Sequence, residues 1–126
     1  MANGKQRAMI LFAHGARDPQ WAMPFRRLQE IVQGRAPDMA VSLAFLELMS
    51  PRLPEAVSAL AAEGAQEVTI VPVFLGQGGH VLRDLPALID EVKNAHPHMR
   101  FKIVDAVGEA ADVLNAMASY CLDAVR

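Results

Sequence analysis

The sequence predicts an α/β protein, a single three-layer α/β/α domain of residues 1–126 around a four-stranded parallel sheet. Three observations predict it. Four short apolar runs without strict alternation read as strands buried on both faces. Segments of helical period separate them, with connections too long for hairpins, so the crossovers are parallel and right-handed. And 126 residues, 52% apolar and 21% charged, close one core but not two.

The first run, Ala8 to Phe12, leads into a helix over Pro24 to Gln33, where Phe25, Leu28, Ile31 and Val32 recur at spacings of three and four. Trp21 stands at that helix start as a packing anchor. Val41 to Leu46 is the second strand. Ser50-Pro51 offers a cap and a first-turn proline for the helix Leu53 to Ala62, and Gly64 falls where a C-terminal cap belongs. The third run, Val68 to Phe74, precedes a helix over Val81 to Val92, which His96-Pro97 terminates. Phe101 to Val104 is the last strand. From about Glu109 a final helix aligns Val113, Leu114, Met117, Cys121, Leu122 and Val125 on one stripe, ordinarily a core-facing one.

Composition excludes several classes of function. Twelve basic against fourteen acidic residues leave a net charge of -2, without the basic excess of a nucleic-acid binder. No apolar run approaches the roughly 20 residues needed to cross a bilayer. The stretch Ala8–Ala13 is too short for a signal peptide, and the single Cys121 cannot form an internal disulfide. A cytoplasmic protein binding neither membrane nor nucleic acid is expected.

In an open parallel sheet, ligands bind beyond the carboxyl ends of the strands, where strand order reverses. The residues after each run therefore carry the information. His14-Gly15-Ala16-Arg17 follows the first, Glu47 the second, and Gly76-Gln77-Gly78-Gly79-His80 the third. One histidine after a strand is ordinarily a turn residue, and one glutamate a wetted strand end. Three such groups on one edge point to a metal or acid/base site, since imidazole and carboxylate bind divalent first-row metals and accept protons near neutral pH. If the first and third strands are neighbours, His14 and His80 face each other across the crevice. Gly76, Gly78 and Gly79 form either a flexible turn or a cradle of bare N–H groups for an anion. Neither the Lys-Ser/Thr of a Walker loop nor a dinucleotide fingerprint accompanies them. Arg17, Arg52 and Arg83 offer guanidinium groups for ligand carboxylates, although solvated surface charge is the commoner role for each. His96 and His98 form only a weak pair, on the opposite edge.

Three segments resemble the sirohydrochlorin chelatases of the CbiX type: Phe12-Ala13-His14-Gly15-Ala16-Arg17-Asp18-Pro19, Ala44-Phe45-Leu46-Glu47-Leu48, and Val71-Pro72-Val73-Phe74-Leu75 running into Gly78-Gly79-His80-Val81, with Asp84-Leu85-Pro86 behind. The likeness runs from about Met9 to the C-terminal helix. It implies a chelatase-like fold and insertion of a divalent metal into sirohydrochlorin, cobalt first, with iron or nickel as alternatives. It assigns His14 and His80 to metal binding and proton abstraction, with Glu47 assisting. Arg17, Arg83 and the N–H groups of Gly76, Gly78 and Gly79 would meet the substrate's carboxylates. The resemblance is to the short, single-lobe form, which implies a homodimer and no cofactor beyond the metal substrate. Ala13 and Ala16 depart from a frequent glycine and serine, which alters the turn around His14 but keeps its imidazole. A carrier that binds metal or tetrapyrrole without catalysis is the alternative. A small hydrolase is disfavoured, because no Ser or Cys nucleophile follows a strand in an elbow motif.

Overall fold

The computed structural model describes residues 6–76 and 79–126, the side chains of residues 79–82 excepted. Four parallel strands, β1 (Arg7–Ala13), β2 (Ala40–Phe45), β3 (Glu67–Pro72) and β4 (Arg100–Ile103), lie in the order β2-β1-β3-β4. Helices α1 (Met23–Arg35), α2 (Leu53–Ala62), α3 (Gly79–Ala95) and α4 (Ala111–Asp123) alternate with them. The expected β1–β3 adjacency holds, with Ile10 opposite Ile70. Strand order reverses there, so the crevice between the carboxyl ends of β1 and β3 is the switch point.

Alternation along the strands divides the core. Ala8, Ile10, Phe12, Val68 and Ile70 face one side and are sealed by Leu53, Val57 and Leu60 of α2 and by Ile89 and Val92 of α3. Phe12 meets Phe74 edge-on at 5.9 Å. On the other side Leu11, Ala13, Val41, Leu43 and Phe45 are covered by α1 through Phe25, Leu28 and Val32. Trp21 anchors that helix start, its ring 4.6 Å from Phe25.

Two expectations are corrected. Ser50-Pro51 supplies neither the cap nor the first turn of α2, whose bounds are those expected. The backbone N–H of Phe45 is bonded to the Pro51 carbonyl at 2.9 Å, which draws this stretch alongside β2 in extended form. The helix begins at Leu53 with Arg52 as its cap residue, and Glu55 accepts the Arg52 N–H at 2.8 Å. The second correction concerns α4. Its apolar stripe does not enter the core: only Val113 is half-buried, and Leu114, Met117, Cys121, Leu122 and Val125 are exposed. Gly64 does cap α2 with a positive φ of 97°.

Candidate functional site at the carboxyl edge

The end of β1 delivers His14 to the switch point, and β2 delivers Glu47 beside it. Their backbones continue the ladder, the Glu47 N–H donating to the His14 carbonyl at 3.1 Å. Gly15 makes this approach possible. Its φ is +102°, and a Cβ there would lie 1.8 Å from the Glu47 carbonyl oxygen, so no other residue fits. Gly108 does the same beyond β3, where an added Cβ would lie 1.8 Å from the Leu75 oxygen. Its N–H donates to the Phe74 carbonyl at 2.9 Å.

The side chains then meet. His14 Nε2 lies 3.5 Å from Glu47 Oε2, both side chains about two-fifths exposed (40% and 42%). His14 Nδ1 lies 3.2 Å from the Gly15 carbonyl oxygen, which can only accept, so Nδ1 carries the proton of that contact. Nε2 faces the Glu47 carboxylate, which likewise only accepts. Either a proton on Nε2 or a metal ion between the two side chains is compatible with this spacing. A metal about 2.1 Å from each in tetrahedral geometry would hold the two donors roughly 3.4 Å apart, close to the spacing present. Among the described residues no group of three or more His, Cys, Asp or Glu side chains is placed to hold a metal.

Other expected site residues take the following places. Arg17 is exposed three residues beyond His14, and Arg83 is exposed near the start of α3. Gly76 is exposed; a Cβ added there would meet no atom within 4 Å, and no left-handed backbone requires glycine. Gly79 is the first residue of α3. Gly78 and the His80 side chain lie outside the described residues, and with them the expected facing of the two imidazoles. Arg52 is not a free surface charge, for its Nε donates to the Leu46 carbonyl at 3.2 Å and ties α2 to the end of β2. His96 sits on the opposite edge, 3.5 Å from Ser58 Oγ.

A cleft of about 240 Å³ opens beside Glu47, lined by Leu46, Arg52, Asp84, Ala87, Leu88 and Glu91. Leu48 and Leu75, beyond β2 and β3, expose their side chains nearby, and Leu48 holds an unusual positive φ of 69°. Sequence reading missed Gly15, Gly108 and Leu48 as determinants. Gly15 carried a signal in directly following His14; the other two carried none.

Parallel strands and a switch point with an imidazole–carboxylate pair at its rim define an α/β protein with a candidate site at the carboxyl edge of its sheet. The chain belongs to the CbiX family, whose sequence model matches residues 8–124. It is 34% identical over 89 residues to a sirohydrochlorin cobaltochelatase of Methanocaldococcus jannaschii, covering 71% of this chain and 62% of that one. A sirohydrochlorin cobaltochelatase of Priestia megaterium is 29% identical over 121 residues, covering 90% of this chain and 38% of that one. The chain thus spans less than two thirds of either relative. Among solved structures, a CbiX protein of Marinobacter aquaeolei VT8 superposes with a TM-score of 0.84 at 26% identity, covering 94% of this chain and 97% of that one. The cobalt complex of the sirohydrochlorin chelatase SirB from Bacillus subtilis shares the fold, with a TM-score of 0.80 at 22% identity over 94% of this chain and 50% of that one. No helix among the described residues is long and apolar enough to cross a membrane.

Proposed function

We propose that this chain is a chelatase inserting a divalent metal, cobalt first, into sirohydrochlorin, in the cytoplasm and with no cofactor beyond the metal it inserts. The observation that carries it is the His14–Glu47 pair at the switch point of a CbiX fold. Insertion requires that the macrocycle lose two pyrrole protons while the ion sheds its waters. Two protons leave as one doubly charged ion enters, so charge at the ring centre is conserved. His14 Nε2 holds the incoming ion or takes a proton, and Glu47 accepts the other or steadies the imidazolium. His80 completes the ligand pair in this reading. Arg17, Arg83 and the N–H groups of the Gly76–Gly79 turn meet the substrate's carboxylates.

The working unit in this proposal is a homodimer of one-lobe chains, each lobe comprising residues 1–126. The cleft beside Glu47, about 240 Å³, is below the roughly 300–1,000 Å³ typical of small-ligand pockets. That half of SirB matches this chain supports the pairing, a second copy supplying the other wall. Steady-state absorbance with sirohydrochlorin and Co²⁺ tests the reading. Many turnovers per chain are expected; a single stoichiometric transfer would make the protein a carrier. Competition among Co²⁺, Fe²⁺ and Ni²⁺ under turnover decides the metal, because affinity for N/O ligands rises from iron through cobalt to nickel irrespective of biology.

A further inference from the structure

Two leucines stand at the carboxyl edge without a place in the core. Leu48 is 57% exposed and Leu75 61%, and outside α4 they are the exposed leucines among the described residues. Leu48 also holds a left-handed backbone, φ 69°, which asparagine or glycine adopts with less strain. Neither burial nor backbone geometry accounts for a leucine there.

The chain fixes both positions closely. The Glu47 carbonyl, on the peptide that leads into Leu48, is pressed against Gly15, where an added Cβ would lie 1.8 Å from its oxygen. The Leu75 carbonyl is pressed against Gly108 in the same way, again at 1.8 Å from an added Cβ. A side chain on either glycine is incompatible with the contact, and each contact is made at a turn that carries an exposed leucine. Leu48 stands three residues past β2, and Leu75 three residues past β3. Between those strands runs β1, its Ala13 opposite Phe45 and its Phe12 opposite Pro72. The three strands thus end at one level. Neighbouring strands lie about 4.8 Å apart, so the ends of β2 and β3 are separated by about 10 Å, with His14 following the strand between them.

We propose that Leu48 and Leu75 are the two supports on which the apolar face of the macrocycle lies, its metal-accepting centre over His14. The inference rests on the chelatase reading above and names the residues that grip the body of the substrate. A flat ring system roughly 10–15 Å across spans both turns while its centre stands at the imidazole, and burial of most of such a ligand requires apolar contact beneath its rings. A peptide segment or an acyl chain is narrower than this span and has no use for an imidazole at its middle. The carboxylates of a tetrapyrrole lie on its rim, so leucines beneath the rings leave those groups to Arg17 and Arg83.

Equilibrium binding of metal-free sirohydrochlorin, followed by its absorbance, tests this with Leu48→Asn, Leu75→Ser and the double variant. Asparagine suits the left-handed backbone, so Leu48→Asn should unfold in urea at the parent's midpoint or above it. Its Kd for the macrocycle should nevertheless rise at least ~10-fold, as should that of Leu75→Ser, the scale set by losing one leucine's burial. The double variant should lose ~100-fold. Leu48→Met, apolar and of similar size, should bind as the parent does. In turnover, KM for sirohydrochlorin should rise in both single variants while KM for Co²⁺ stays at the parent value. Parent-like macrocycle affinity in the double variant overturns the proposal, whatever then covers the leucines. An equal rise in KM for Co²⁺, or a Leu48→Asn chain that unfolds early, makes Leu48 a structural residue and overturns it too. A parent chain that binds no macrocycle overturns both this proposal and the chelatase reading. One that binds it through the leucines but turns over no metal overturns the chelatase reading alone.

Discussion

His14 stands between its own backbone and a carboxylate, with Nδ1 3.2 Å from the Gly15 carbonyl oxygen and Nε2 3.5 Å from Glu47 Oε2. Replacing it with alanine should lower turnover at least ~100-fold, and the half-exposed side chain should cost under ~1 kcal/mol of stability. His80→Ala should be as severe in activity, and Glu47→Ala milder; near-native turnover in either histidine variant makes that histidine structural. A cobalt-soaked crystal should show density between the His14 and His80 imidazoles, with metal–nitrogen distances of roughly 2.0–2.2 Å. Density only at His96 and His98 would remove the assignment. Gly15→Ala is a different kind of change, since it meets both a left-handed backbone and the Glu47 carbonyl. We expect a loss of about 2–4 kcal/mol in urea unfolding, larger than for either site side chain.

At the scale of elements, the four helices differ in what holds them. Leu60 of α2 is 3% exposed inside the first core, and Leu60→Ala should cost about 2–5 kcal/mol. Glu55→Ala removes the acceptor of the Arg52 N–H and should cost about 0.5–2 kcal/mol. Chemical denaturation of the two variants beside the parent chain checks both values and their order. Arg52 binds the Leu46 carbonyl and so fixes the segment on which Glu47 stands. Its truncation should disturb activity through the position of that loop as well as through lost charge.

For the whole molecule, one lobe leaves the His14–Glu47 pair on an open edge, against a macrocycle roughly 10–15 Å across whose pocket must bury most of it. In the proposed homodimer, pairing bears on both stability and activity. If folding and association are linked, Tm should rise with protein concentration. Scanning calorimetry over a tenfold concentration range reads it directly. A species of 13.7 kDa that turns over substrate would show that one lobe suffices.

Much of this was determined by the amino-acid order alone. Unbroken apolar runs and a 3.6-residue period are local properties, and they place all four strands and four helices to within a few residues. The edge that carries His14 and Glu47 was equally legible, because in a parallel sheet every strand's successor lands at the same end. Tertiary structure alone decided the rest. The helix α2 begins at Leu53 as its period indicates, but its cap is Arg52 and not Ser50, because Phe45, at the end of β2, captures the Pro51 carbonyl. The need for glycine at 108 arises from a strand end more than thirty residues earlier. The stripe on α4 shows in the sequence as an apolar face, but periodicity says only that a face is apolar, never which surface buries it. That choice depends on where the other elements leave room, and among the described residues the α4 stripe stays exposed apart from Val113.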